Sequence, residues 1–296
     1  VEEIATTDDG RLTIEELPSS IVSRPSSVMH LQSLTPHPYL ENDLNDFPFT
    51  VPVIRSLPEI KFTAPVTFFV GENGSGKSTV MEALAYAVES ITVGTESVKT
   101  DKTLAPVRKL AKYFKLAWTK RTRKGFFMRA EDFFGYARSM RETREELEEE
   151  YNNVEHDYKG RSEYAKDLAR LPYAGQLAAM KHRYGKDLDN FSHGEAFLTL
   201  FQARFIPGGL YLLDEPEAAL SPSRQLSFLS ALRQMVEQEA QFVIATHSPI
   251  ILAYPGAQIL SFENGMIKQV KYEDLEHVRL TKEFLDNPEA YLRHLL

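Results

Sequence analysis

Residues 71–79 read GENGSGKST. Gly71-x-x-x-x-Gly76-Lys77-Ser78 meets the spacing of a phosphate-cradling loop in full. The glycines let successive backbone N–H groups turn inward as an anion nest. A helix that starts at the end of such a loop adds its positive end. The flanks agree: PVTFFV (65–70) reads as a buried strand, and STVMEALAYAVESI (78–91) carries apolar residues at helical spacing. Gly71, Glu72, Asn73, Gly74, Ser75, Gly76, Lys77, Ser78 and Thr79 are therefore the candidate phosphate-binding residues. Lys77 would bring a point charge to the β- and γ-phosphates, and Ser78 a hydroxyl for Mg²⁺.

Downstream, GLYLLDEP (209–216) is an apolar strand ending in adjacent carboxylates. Asp214 would hold Mg²⁺ through water, and Glu215 would act on an attacking water as general base. QFVIATHSP (241–249) is another buried-type strand, and it ends at His247. That is the edge at which parallel sheets bind ligands, so His247 could contact the γ-phosphate. Ser192-His193-Gly194-Glu195 has the S-x-x-E spacing of a capping box opening a helix, which is also a good anion site. Strands that lack polar alternation and alternate with helices predict an α/β fold around a mostly parallel sheet buried on both faces.

Outside these motifs the expectations are coarser. Residues 1–46, rich in Ser, Thr, Pro and acids, read as an irregular N-terminal arm, and 47–296 as the main domain. FPFTVPVI (47–54) reads as a strand. From about 103 to 190 the pattern is mostly helical and charged, with GFFMRAEDFF (125–134) as a short strand entering a turn. Residues 138–171 hold no sustained heptad, so they read as a helical hairpin. Residues 222–240 read as an amphipathic helix. QILSFENGMIKQVKY (258–272) reads as a hairpin around Asn264-Gly265, and the tail as short helices around Asn287-Pro288.

The 296 residues carry a net charge of −8, so no global attraction to nucleic acid is implied. From Lys102 to Ala130, however, there are ten Lys/Arg and no acid, with Tyr113, Phe114 and Trp118 interleaved. Basic residues alternating with aromatics suit DNA contact through 102–130; the competing reading is a solvated helix face paired with the acidic run that follows. The absence of cysteine excludes disulfides, thiolate metal sites and a cysteine nucleophile, and it fits a reducing compartment. No apolar run approaches membrane-spanning length, and VEEIATTDDG is not a secretory leader. A cytoplasmic protein without direct membrane insertion is expected.

The order GENGSGKST, FSHGE, LLDEP, THS resembles the ABC-type ATPase domain. DEPEAALSP (214–222) is more similar to the SMC/RecF/OLD-like branch than to transporters. GFF-x-RAE, SHGE, LYLLDEPEAALSP and IATHSPI-x-LAYPGA are shared with small stand-alone bacterial ATPases, over about 47–296. The resemblance implies a P-loop NTPase fold of ABC type with a helical subdomain insertion, and hydrolysis of ATP to ADP and phosphate with Mg²⁺. It implies a head-to-tail homodimer formed on ATP binding, in which Ser192, His193, Gly194 and Glu195 of one copy cover the loop of the other. Lys77, Glu215 and His247 would be catalytic. Leu220 and Ser221 occupy the D-loop, where Asp is usual. No Q-loop glutamine is evident; Arg129 or Glu131 stands at its position. The implied function is an ATP-driven dimerising switch acting on DNA or on an unidentified protein partner. The energy subunit of a membrane ABC transporter is the alternative, and an ATPase acting beside a nuclease is compatible with the same motifs.

Overall fold

The computed structural model describes residues 29–92, 104–184, 198, 201 and 204–293. Seven strands form the central sheet: β3 (Val66–Val70), β4 (Ile91–Thr92), β6 (Phe126–Arg129), β7 (Leu210–Asp214), β8 (Gln241–Ala245), β9 (Gln258–Glu263) and β10 (Met266–Val270). Their order is β10-β9-β3-β8-β7-β6-β4, and every pairing is parallel except that of β9 with β10. The β9–β10 hairpin turns at Asn264 and Gly265, with φ of 52° and 72°, as a two-residue primed turn requires.

Alternate residues of each central strand feed opposite cores. Val66, Phe68 and Val70, Tyr211 and Leu213, and Phe242 and Ile244 face one side. Phe69, Leu212, Val243 and Ala245 face the other. Helix α2 (Lys77–Ala87) covers the second side with Val80, Met81 and Leu84, joined by α3 (Ala105–Ala111). Helices α6 (Pro222–Glu237) and α7 (Pro249–Leu252) cover the first with Phe228, Leu232, Met235, Ile251 and Leu252. Both faces are thus sealed, as all-apolar strands demand. After β6, α4 (Ala130–Asp157) and α5 (Glu163–Tyr184) form an antiparallel hairpin, pinned where Lys166 donates to Glu155 at 2.7 Å and Arg170 to the same carboxylate at 2.6 Å. The chain ends in α8 (Glu276–Asp286) and α9 (Pro288–Leu292), with Asn287 capping the latter.

The structure departs from the sequence reading at several places. Residues 31–36, expected within an irregular arm, are strand β1 (Leu31–Pro36) of a separate antiparallel sheet ordered β2-β1-β5. Its partners are β2 (Ile60–Lys61) and β5 (Phe114–Trp118). Residues 1–28 lie outside the described residues. Among the described residues the region 103–190 is not wholly a helical insertion: β5 and β6 belong to the two sheets, α3 packs on the second core, and the α4–α5 hairpin is its long helical part. FPFTVPVI is no strand. Its second half forms α1 (Pro52–Arg55), with Pro52 opening the helix. Prolines at 48 and 52 remove the N–H donors a central strand needs, and Pro52 sits at a helix start, where it is tolerated. Among the described residues no helix is long and apolar enough to cross a membrane.

Candidate functional site

Strands β3, β8 and β7 lie side by side and parallel, so their carboxyl ends open onto one edge. The sequence delivers a reactive segment at each end: the glycine loop after β3, Asp214-Glu215 closing β7, and Thr246-His247-Ser248 after β8. The loop fits under α1 because Gly76, at φ 98°, has no Cβ; one would lie 2.6 Å from Val53 Cγ1. Gly76 caps α2, whose first residue is Lys77.

Lys77 is 4% exposed. Its Nζ donates to the carbonyls of Gly71 at 2.6 Å and Glu72 at 2.9 Å, both in its own loop. Burial pulls the ammonium pKa down, while the charges of Glu215, Asp214 and Glu217 oppose that shift. Asp214 is buried, and its carboxyl is pushed up to about 6, chiefly by desolvation, against a hydrogen bond from Ser78 that favours the anion. Among the described residues its Oδ1 has no hydrogen-bond partner. A buried carboxylate oxygen without a donor, beside a serine hydroxyl and a phosphate-type loop, suits a hard cation that accepts oxygen ligands. Among the described residues no cluster of His, Cys, Asp and Glu could hold a metal alone, so such an ion would draw its remaining ligands from phosphate and water.

Glu215 takes a left-handed backbone, φ 52°, and its N–H donates to the carbonyl of Ala245 at 2.9 Å. This turn sends its side chain toward the next strand end: Oε1 stands 3.8 Å from His247 Nε2. That nitrogen is buried and has no hydrogen-bond partner among the described residues. Burial and the Lys77 charge depress the His247 pKa, against an upward pull from Glu215. A neutral imidazole is therefore the resting form near pH 7.

Two side chains in this neighbourhood went unread in the sequence. Glu217 sits in the 3₁₀ turn Pro216–Ala219 after β7, and its Oε1 accepts the backbone N–H of His247 at 2.6 Å. Burial raises its pKa, while the His247 N–H and the Thr246 hydroxyl pull it down. His277, near the start of α8, lines a cavity of about 650 Å³ together with Gly71–Ser75 and His247. Its Nε2 is also buried with no partner among the described residues, and burial depresses its pKa, with His247 adding to the effect. In sequence Glu217 is one more acid in an acidic turn, and His277 a lone histidine in a polar tail. Only the folded contacts mark them.

The other expected site residues separate. Leu220 is buried and Ser221 caps α6, its Oγ 3.2 Å from that of Ser223. Arg129 ends β6 in register with Asp214, and its guanidinium approaches Glu82 of α2 at 3.4 Å. Glu131 lies in the first turn of α4, and its side chain is outside the described residues. Ser192, His193, Gly194 and Glu195 also lie outside them. In the basic stretch, Lys109 binds Asp43 at 2.8 Å, Tyr113 donates to Asp43 at 2.6 Å, and Tyr113, Phe114 and Trp118 pack on the core. The aromatics are thus committed to the fold. Lys112, Lys115, Lys120, Arg121, Arg123 and Lys124 remain exposed, while Lys102 is outside the described residues.

Family models match the chain over two stretches. The first, an AAA domain, covers residues 53–202. The second, over residues 195–253, is an AAA domain whose description also names the AbiEii toxin of a type IV TA system. No curated protein is similar to the chain in sequence. Among solved structures it is similar to the Smc head domain of Pyrococcus furiosus, with an extended coiled coil and bound to the C-terminal domain of ScpA. That match has TM-score 0.43 and 11% identity, over 86% of this chain and 99% of the other. An ATP-binding cassette of an ABC transporter in its ADP conformation matches with TM-score 0.39 and 15% identity, over 90% and 98%. A nucleotide-free cassette from an ABC transporter gives 0.42 and 15%, over 89% and 98%. The first family model spans half the chain and takes in the whole phosphate loop. The chain belongs to the AAA-domain family: it is a P-loop ATPase, which binds nucleotide and hydrolyses ATP.

Proposed function

We propose that the chain is an ATP-driven switch, a Mg²⁺-dependent ATPase whose domain over 47–296 closes head to tail on a second copy when ATP binds. One observation carries this reading: Glu215 Oε1 and His247 Nε2 face each other at 3.8 Å on strand ends beside the loop that holds Lys77. In the assigned roles, Lys77 leaves the carbonyls of Gly71 and Glu72 and binds the β- and γ-phosphates. Ser78 and Asp214 would hold Mg²⁺, which would supply positive charge to the phosphate oxygens. Glu215 orients the attacking water and takes its proton. His247 donates from Nε2 to the γ-phosphate, which requires the tautomer with the proton there.

The open loop supports a second copy. Glu72, Asn73 and Gly74 are exposed, which leaves room above the phosphate site for residues 192–195 of another chain. The switch would work in the cytoplasm, on DNA or on a protein complex. Any DNA contact would be to phosphates through Lys112, Lys115, Lys120, Arg121, Arg123 and Lys124, and would weaken steeply with salt. The energy subunit of a membrane transporter is the less supported reading, because the position of the Q-loop glutamine is filled by Arg129 or Glu131.

Glu215→Gln tests the reading. With ATP and Mg²⁺ this variant should bind nucleotide, lose turnover by on the order of 100-fold or more, and run as a dimer in light scattering. If the ATP-loaded variant stays monomeric, the head-to-tail switch is wrong. If it turns over at the wild-type rate, Glu215 is not the base.

A further inference from the structure

The catalytic reading needs Glu215 and His247 held at one separation, although they sit on loops from different strands. Among the described residues, two side chains tie those loops together, and both come from the segment that follows Glu215. Glu217 accepts the His247 N–H at 2.6 Å. Gln225, one turn into α6 and 8% exposed, uses both ends of its amide. Its Nε2 donates to the carbonyl of Leu220 at 3.1 Å, and its Oε1 accepts from the Ser248 hydroxyl at 2.5 Å. Ser248 is already committed within its own loop. Its Oγ accepts from the Ile251 N–H at 3.2 Å, capping α7, and its backbone N–H donates to Thr246 Oγ1 at 3.0 Å. The bonds from Glu217 and Gln225 therefore flank His247, one at its own amide and one at the next residue.

Burial gives the Gln225 contacts their importance. A buried primary amide that lost either partner would keep an unsatisfied donor or acceptor, so the chain Leu220–Gln225–Ser248 has one favoured geometry. The Gln225 side chain bonds to Leu220 and Ser248 and not to the phosphate loop or Asp214, so its influence on chemistry has to pass through the His247 loop. We propose that Gln225 is a positioning residue for ATP hydrolysis, coupling the turn at Leu220-Ser221 to the placement of His247. The proposal rests on the role given to His247 above. It adds a direction: a displacement at 220–221 reaches His247 through one buried amide.

The test is a double-mutant cycle on the full chain with MgATP as the probe. Gln225→Leu keeps most of the side-chain volume and deletes both hydrogen bonds. It should lower kcat by on the order of 10- to 100-fold, the usual penalty for a misplaced catalytic group, and leave the Kd for ATP within about twofold. Ser248→Ala, which deletes only the hydroxyl, should move kcat the same way and serves if Gln225→Leu does not fold. Combining Gln225→Leu or Ser248→Ala with His247→Ala should add nothing to the loss that His247→Ala causes alone, because a positioning residue has no effect once its client is gone. The proposal is overturned if folded Gln225→Leu keeps wild-type kcat, if it costs the same factor in the His247→Ala background, or if kcat and ATP affinity fall together. Failure of the underlying reading looks different: His247→Ala alone would then turn over normally, and the coupling would fall with it.

Discussion

Asp214 shows how a single buried carboxyl sets conflicting demands. Without cation and nucleotide its anion is desolvated, and its pKa rises from 3.8 to about 6. A group whose folded pKa lies above its unfolded value stabilises the fold fully below the unfolded value, and loses that contribution as pH rises through the folded one. The window here runs from about pH 4 to above pH 6, and the loss is on the order of 3 kcal/mol. In chelator and without nucleotide, Asp214→Asn should therefore melt higher than wild type at pH 8, lose that advantage at pH 4, and have no ATPase activity. Thermal melts at the two pH values decide it; a wild type more stable than the variant at pH 8 would refute the account. The site's polar inventory divides along the same line. Lys77, Ser78, Asp214, Glu215 and His247 were legible as candidates because local spacing places them at the start of the helix after the glycine loop or just at and beyond the ends of apolar strands. Glu217, Gln225 and His277 were not, because what marks them is contacts and burial in the fold that neither spacing nor residue type announces.

At the scale of elements, the sequence reading succeeded where one force dominated. The five-residue strands β3, β7 and β8 are buried at every position, and their predominantly apolar runs suit the middle of a sheet covered on both faces. It failed where signals competed. β5 carries Phe114, Leu116 and Trp118 inward at period two, but the lysine beside them in a basic stretch favoured a helix. In 47–54 alternating apolar residues suggested a strand, and the prolines decided otherwise. Glycine placement inside the sheet is a further constraint on elements. Gly125 leads into β6 at φ 110°, and a Cβ there would come within 1.8 Å of the Leu210 carbonyl oxygen on β7. That contact is with backbone, so no side chain can yield. Gly125→Ala must push β6 off β7, and a cost of about 3 kcal/mol or more is expected from strain and overpacking together. Chemical denaturation measures it, and a change below about 1 kcal/mol would mean that the β6–β7 pairing shifts easily.

On the scale of the whole molecule, two sheets of different kinds must be joined, and two buried glutamines contribute to the joint. Gln241 opens β8 and is 0% exposed; its Oε1 accepts from the N–H groups of His30 at 3.0 Å and Leu31 at 2.8 Å, and its Nε2 donates to the Leu31 carbonyl at 2.9 Å. Gln258 opens β9 and treats the neighbouring strand alike, accepting from the Thr63 N–H and donating to the Lys61 carbonyl, both at 2.9 Å. Each glutamine supplies from a side chain the bonds that a further strand would supply from its backbone, so the antiparallel sheet is docked at the amino ends of β8 and β9. The phosphate site lies at the opposite, carboxyl ends of the same strands. Stability and chemistry are therefore segregated to the two edges, which gives a separable prediction. Gln241→Leu keeps the volume but strands three backbone groups, at roughly 1 kcal/mol or more each, so a loss of about 3 kcal/mol is expected. Because Leu31 and Leu34 belong to the same core as α2, the loss should appear as one cooperative transition at a lower denaturant midpoint with unchanged slope. Below that transition ATP affinity and turnover should match wild type, since the joint touches no residue of the site. Two separate unfolding transitions would show instead that the β2-β1-β5 sheet is an independent unit, and weakened ATP binding in the folded variant would show that the two edges are coupled through the strands.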